Sequence, residues 1–158
     1  MIATPASILR TLLIAAAATL SWLAPAYAAD VLIVQESSRS VPETIDALQK
    51  VLEAKGISVF GRVDHQANAK KAGLELPPTT LLIFGNPKLG TPLMQTNRQI
   101  GIDLPMKALA WQDADGKVYL GYTDPKNLEA RHGIEGRDAI FAKMAKALGA
   151  MTDKAAGK

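Results

Sequence analysis

The two histidines of this sequence, His65 and His132, are the side chains best suited to bind a metal ion or to transfer a proton. Imidazole titrates near neutral pH and is the commonest metal ligand among side chains. Each histidine also lies at a predicted helix end, His65 after Asp64 and His132 before Gly133. An Asp at a helix N-cap and a His near a helix C-terminus stabilise the helix without a ligand. The structural interpretation of both histidines is therefore the stronger one.

Methionine offers a second kind of metal ligand, because soft sulfur donors select Cu(I). Met94 joins His65 and His132 in the candidate copper or zinc site, with nearby carboxylates as further ligands. Met106 and Met144 fall in a predicted strand and on the apolar face of a predicted helix, where methionine commonly fills gaps in a core. The sequence has no cysteine, so thiolate ligands, thiol nucleophiles and disulfides are excluded.

A second candidate site lies in the loop that follows the most apolar predicted strand. Residues 85–91, GNPKLGT, can present backbone amides and Lys88 to an anion, although their spacing is not that of a Walker loop and turn chemistry also explains them. Polar residues from three other segments are expected at the same sheet edge. The predicted ligand-binding residues are Asn86, Lys88, Asp103, Lys107, Tyr122 and Asp124.

No set of residues has the spacing of a known catalytic site. The serines lack the context of a nucleophile elbow, and Asp113 and Asp115 are first of all residues of an Asp-Gly turn. Asp64 and His65 are the one acid–base pair that a small hydrolase could use. We assign no catalytic residue and no cofactor, and a non-enzymatic protein is favoured.

The first 28 residues have the pattern of a cleavable secretory signal. Arg10 precedes an apolar run over residues 11–23, and Ala26, Tyr27 and Ala28 form a small-residue cleavage site. The apolar run is shorter than the roughly 20 residues that span a bilayer. We therefore expect a periplasmic or secreted protein without a membrane span after cleavage. The net charge of +3, with scattered Lys and Arg, does not predict binding to nucleic acid.

Hydrophobic periodicity over residues 29–150 predicts a single domain with the order strand, helix, four strands, helix. Ser40 and Glu43 form a capping box that begins the first helix, Thr91 and Pro92 are expected to begin a short helix, and Gly149 is expected to end the last one. Residues 151–158 are expected to be a disordered tail. The predicted strands are residues 30–35, 57–63, 80–84, 107–112 and 117–123.

Because turns or short segments join most of these strands, we expect an α+β two-layer sandwich in which an antiparallel sheet carries two helices on one face. The strand over residues 80–84 is apolar enough to be buried on both faces. In a simple meander, His65 and His132 lie at opposite ends of the sheet. They can form one site only through a parallel crossover over residues 64–78 or through a partner subunit.

Several blocks resemble the bacterial family called domain of unknown function 302. They are LLIFGNPKLGTPLM, IGIDLPMKALAWQD, DGKVYLGYTDP, RHGI and RVDH, the last at residues 62–65. The resemblance implies a compact α+β domain of TATA-binding-protein-like topology, often a dimer, and implies no activity.

Three functional hypotheses follow. The first is an exported, non-enzymatic module that binds a small ligand or a partner protein, possibly as a homodimer. The alternative is a periplasmic copper- or zinc-binding protein, and the third is a small hydrolase.

Overall fold

Alternating apolar residues in the chain produce five strands within the part of the molecule that the structure describes. The computed structural model describes residues 32–158, so the predicted signal sequence, residues 1–28, lies outside it. The strands are β1 (Leu32–Ser37), β2 (Ser58–Asp64), β3 (Thr79–Gly85), β4 (Met106–Gln112) and β5 (Val118–Thr123). The α-helices are α1 (Val41–Ala54), α2 (His65–Lys71), α3 (Pro87–Thr96), α4 (Pro125–Arg131) and α5 (Asp138–Ala156), and a 3₁₀ helix covers Arg98–Ile102.

The strands form one sheet in the order β1-β5-β4-β3-β2, and every neighbouring pair is antiparallel. β2 to β5 make a meander, and β1 pairs with β5 at one edge. The predicted α+β fold is confirmed. The parallel crossover over residues 64–78 does not occur, because α2 returns the chain to a β3 that runs antiparallel to β2.

The hydrophobic core lies on one face of the sheet, under α1 and α5. Ile45, Leu48 and Leu52 of α1 are fully buried, as their helical spacing predicts, and Leu82 of β3 is fully buried below them. The other face of β3 is only partly buried, so the prediction of burial on both faces is wrong for this strand. The physical reason is that the main helices cover a single face of the sheet.

Two predicted local features are confirmed. Ser40 and Glu43 form the complete capping box at the start of α1, with the Ser40 side chain accepting from the Glu43 amide. The hairpin between β4 and β5 closes through Asp113, whose carboxylate accepts the Lys117 amide at 2.8 Å.

The helix that was expected to begin at Thr91 and Pro92 begins earlier. Asn86 is the N-cap of α3, its side-chain oxygen accepts the Lys88 amide at 2.9 Å, and Pro87 takes the first helical position. Pro92 lies inside the helix. The correct N-terminus therefore combines an Asx cap with the next proline, the same device that begins α4 at Asp124.

The last helix does not end at Gly149, and residues 151–156 are helical, not a disordered tail. Met151 and Ala155 are buried, and the Ala155 and Ala156 carbonyls accept from Arg39 and Ser38. Burying one methionine is worth about 1.5–3 kcal/mol, whereas a glycine inside a helix costs about 1 kcal/mol relative to alanine. Packing therefore outweighs the helix-breaking tendency of Gly149.

Candidate functional site

An apolar cavity of about 300 Å³ opens at the end of the sheet where β3 ends and β4 begins. Leu89 and Met94 of α3 line one side of it, and Leu148 of α5 lines the other. Phe84 and Met106 contribute from the ends of β3 and β4. This volume is at the lower end of the roughly 300–1,000 Å³ that small-molecule sites occupy.

Every methionine within residues 32–158 lines this cavity: Met94, Met106, Met144 and Met151. They come from α3, β4 and α5, and Met144 and Met151 share one face of α5 because they are seven residues apart. Thioether side chains are flexible and polarizable, so they adapt their shape to an apolar guest. The sequence offered a signal in the spacing of Met144 and Met151, which core packing also explained.

The cavity lining contains no ionisable side chain, and its only polar side chains are those of Asn86 and Thr91. An uncompensated charge placed in such surroundings loses its hydration without gaining a partner, which is strongly unfavourable. The lining is therefore suited to a neutral, largely apolar molecule.

Phe60 contributes an exposed aromatic ring to the lining. It lies on the edge strand β2 where the register with β3 shifts between Val59 and Gly61, and 58% of its surface is exposed. Its ring lies against Gly85, where an added Cβ would come within 3.4 Å of both Phe60 and Pro105. The apolar surface of the cavity thus continues outward onto the protein surface.

A polar cluster of Asp103, Arg131 and His132 lies beyond the 3₁₀ helix. The His132 Nε2 atom is 2.7 Å from Asp103 Oδ2, and Arg131 Nη1 donates to both Asp103 oxygens at 3.3 Å. The His132 side chain is only 7% exposed. Burial raises the pKa of Asp103, but the hydrogen bonds from His132 and Arg131 outweigh it, so the pKa lies below its ordinary value. The cluster satisfies its own charges.

The other predicted ligand-binding residues serve mainly structural roles. The Asp124 carboxylate accepts the Lys126 amide at 3.0 Å as the cap of α4, and Lys107 Nζ donates to the Asp103 carbonyl oxygen at 3.3 Å. Tyr122 is buried, and burial raises the pKa of its hydroxyl. Lys88 is exposed. Of the six residues predicted to bind a ligand, Asn86 alone lines the cavity.

The predicted metal ligands are not brought together within the described part of the chain. His65 begins α2 beside the Asp64–Thr80 pair at one end of the sheet, and His132 follows α4, which begins where β5 ends on the opposite side. Met94 lines the cavity, whose lining has no histidine. Among residues 32–158, no three His, Cys, Asp or Glu side chains are grouped to hold a metal ion. Asp64, the proposed hydrolase acid, caps α2 by accepting the Ala67 amide at 2.8 Å.

The fold and the cavity define a small α+β domain with an apolar site at one end of its sheet. Residues 33–151 match the family model described as "Domain of unknown function DUF302". The chain belongs to this family.

A solved structure has the same fold: the crystal structure of an uncharacterized conserved protein DUF302 from Bacillus stearothermophilus. It superimposes with a TM-score of 0.73, covers 80% of this chain and 99% of its own, and is 24% identical in sequence. At that identity the likeness shows the fold alone.

Curated relatives are more similar in sequence but much longer. The chain is 50% identical over 127 residues to a protein named "Fluoride-specific ion channel FluC 1" from Brucella suis biovar 1 (strain 1330), covering 80% of this chain and 50% of that protein. The protein of the same name from Brucella abortus biovar 1 (strain 9-941) matches equally over 47% of its length. The chain thus spans about half of these relatives. Within residues 32–158, no helix is long and apolar enough to cross a membrane.

Proposed function

We propose that this protein is a non-enzymatic binding module whose methionine-lined cavity holds a small, neutral, apolar ligand. The observation that carries the proposal is the cavity itself. Four thioether side chains surround about 300 Å³ of space, and none of the described residues that line it is ionisable. The two carboxylates considered for a site, Asp64 and Asp103, are engaged in a helix cap and in an ion pair.

The affinity expected of such a site is modest. A ligand that loses about 200 Å² of apolar surface gains about 5 kcal/mol at 25 cal/mol per Å². The loss of translational and rotational freedom on binding opposes part of this gain. The protein then releases its ligand readily, which suits a carrier or a sensor better than a permanent store.

The proposal is tested with two fluorescent probes that differ only in charge. N-phenylnaphthylamine is neutral, and anilinonaphthalene sulfonate is the same ring system with an anionic group. We expect the neutral probe to bind with one-to-one stoichiometry and the sulfonated probe to bind at least ten times more weakly. Equal binding of both, or binding of neither, contradicts a neutral-ligand cavity.

Native mass spectrometry of the protein purified from its own compartment gives the chemistry of the bound molecule. An organic mass that dissociates on mild activation supports the proposal. A bound copper ion contradicts it and favours the metal-binding alternative, with the four methionines in place of His65 and His132, because thioethers select Cu(I).

Export and self-association belong to the same proposal. The signal pattern of residues 1–28 supports a periplasmic or secreted location. The sheet face opposite α1 and α5 carries Trp111 stacked on Tyr119 with ring centroids 5.6 Å apart, and this apolar face supports a homodimer. The subunit count in the same mass spectrum tests the dimer, and its appearance in the periplasmic fraction tests the location.

A second candidate function is that this domain binds and assists a fluoride channel. A channel must cross the membrane, and only structures whose backbone polar groups are all hydrogen-bonded internally can do so. The described part of this chain contains no membrane-spanning helix, so the channel portion of the Brucella proteins is expected in the half that the chain does not match. The matched half of the Brucella proteins then accompanies a channel, and this chain is expected to serve a fluoride channel in the same way.

Co-expression tests this candidate. The protein is produced with a full-length fluoride channel that lacks such a domain, and the channel is purified from detergent-solubilised membranes. Specific retention of this protein on the channel, but not on an unrelated membrane protein, supports the candidate. Loss of this protein from the channel in the first wash contradicts the candidate function.

A further inference from the structure

One wall of the cavity belongs to the segment that connects β3 to β4. We call residues 86–105 the flap. It comprises α3, the 3₁₀ helix and the residues that lead into β4, of which Leu104 and Pro105 line the cavity. Leu93 and Ile100 anchor the flap in the core, and Leu89, Met94 and Leu104 pack against the core from the flap. Beyond these anchors, α3 packs mainly against the 3₁₀ helix of the same flap rather than against α1 or α5.

Hydrogen bonds join the flap to the end of α4 and the start of α5. His132 makes two of these hydrogen bonds, one with each end of the 3₁₀ helix. Its backbone carbonyl accepts from Asn97 Nδ2 at 2.8 Å, and its ring Nε2 lies 2.7 Å from Asp103 Oδ2. Arg131 adds contacts to Asp103. Apart from this residue pair, Arg137 Nε donates to Thr96 Oγ1 at 3.1 Å.

These contacts place His132 where it can determine the position of the cavity wall. Asn97 and Asp103 cap the two ends of the 3₁₀ helix, and Leu104, which directly follows Asp103, lines the cavity. Within the flap, the Met94 sulfur lies close to Gly101, so the 3₁₀ helix also supports this cavity methionine. Apolar anchors such as Leu93 and Ile100 hold the flap down but have little directional preference, whereas hydrogen bonds fix an orientation.

We propose that His132 is the positioning residue of the cavity, which holds the flap closed through Asn97 and Asp103 and thereby controls entry and release of the ligand. The inference rests on the proposed function for its ligand, but the closed flap can be measured without one. His132 neither lines the cavity nor contacts its contents, so it acts through Asp103 and Leu104.

The test compares two replacements of the same ring. His132→Leu keeps an apolar side chain and the backbone carbonyl that accepts from Asn97, but removes the contact with Asp103. His132→Gln presents an amide Nε2 donor close to the position of the imidazole Nε2. Arg62→Leu is the matched control, because it breaks the 2.8 Å ion pair with Asp46 elsewhere on the surface.

Amide hydrogen exchange followed by mass spectrometry is measured over residues 86–105 and over β4 and β5 as reference. We expect exchange in the flap to be at least ten times faster in His132→Leu, with the reference unchanged and the flap rate restored in His132→Gln. In the same proteins, N-phenylnaphthylamine is expected to dissociate at least five times faster from His132→Leu only. The Arg62→Leu variant is expected to match the wild type in both measurements.

The outcomes separate the two proposals. Faster flap exchange in His132→Leu, together with a wild type that binds no probe, supports the role of His132 and contradicts the ligand-binding function. Unchanged flap exchange in His132→Leu overturns the positioning role even where the probe binds well. If His132→Leu does not fold, Asp103→Ala is measured instead, and the same two results support or overturn the inference.

Discussion

The cavity and the polar cluster lie on either side of the flap, and they satisfy their side chains in opposite ways. In the cluster, Asp103, Arg131 and His132 saturate one another with hydrogen bonds at 2.7–3.3 Å. In the cavity, Met144 and Met151 have apolar neighbours but leave space between them and α3. Polar groups that are already hydrogen-bonded to one another gain little free energy from a ligand. Apolar walls around a void gain dispersion contacts when a ligand fills the void. The difference indicates binding in the cavity and support in the cluster.

Among the variants that test this difference, filling the cavity is expected to have the largest effect, and the effect is on ligand affinity. Ala147 lines the cavity from α5, and Ala147→Phe places a ring into the space that a ligand would occupy. We expect the affinity for N-phenylnaphthylamine to fall about a hundredfold, equivalent to about 2.7 kcal/mol. Overpacking of a dense core costs about 1–3 kcal/mol, so a loss of stability below about 1 kcal/mol confirms that the space exists.

Ala142→Phe is the control for this variant, because Ala142 is exposed on the same helix. Fluorescence titration and urea denaturation are carried out on both. If Ala147→Phe binds the probe as tightly as Ala142→Phe does, the probe does not occupy the cavity.

Removing the centre of the polar cluster is expected to lower the free energy of unfolding. Asp103→Ala leaves the nearly buried His132 ring without its partner, and an unsatisfied buried polar group costs about 1–3 kcal/mol. Asp46→Ala breaks an ion pair whose side chains are 37% and 54% exposed, and such pairs contribute about 0–1 kcal/mol. Urea denaturation of both variants checks the contrast. Equal losses would show that the cluster is no more than a surface ion pair.

The sequence predicts the order of the strands and main helices along the chain well because their signals are local. The capping box at Ser40, the Asp-Gly turn at Asp115 and the apolar face of α1 each depend on residues a few positions apart. The cavity could not be predicted in this way, because Met94, Met106 and Met151 converge only after α3, β4 and α5 have packed. Each methionine taken alone is an ordinary core residue.

The polar site residues show the complementary limitation. The sequence placed Asn86, Asp103, Lys107 and Asp124 at one sheet edge, and the meander does bring their segments there. It could not show that helix caps and ion pairs already occupy most of their hydrogen-bonding capacity, since that depends on partners such as Arg131, which is 28 residues from Asp103.

A smaller effect is expected at the exposed end of the cavity surface. Phe60→Ser removes an exposed ring, so stability is expected to change by less than about 0.5 kcal/mol. If the ligand extends from the cavity over Phe60, the affinity for the neutral probe is expected to fall about threefold, or about 0.6 kcal/mol. Unchanged affinity, measured by the same titration, would confine the ligand to the interior.

The smallest expected effect is the acid dependence of stability that Asp103 contributes. Its pKa in the folded protein lies below the ordinary value of 3.8, so as the pH falls the unfolded chain takes up the proton first. The stabilisation is therefore present above the ordinary pKa and is lost as the pH falls through the lowered one. Urea midpoints measured from about pH 6 to about pH 2 are expected to fall less steeply for Asp103→Asn, which has no carboxyl to titrate. Identical slopes for wild type and Asp103→Asn would mean that the cluster holds the flap without depending on the charge of Asp103.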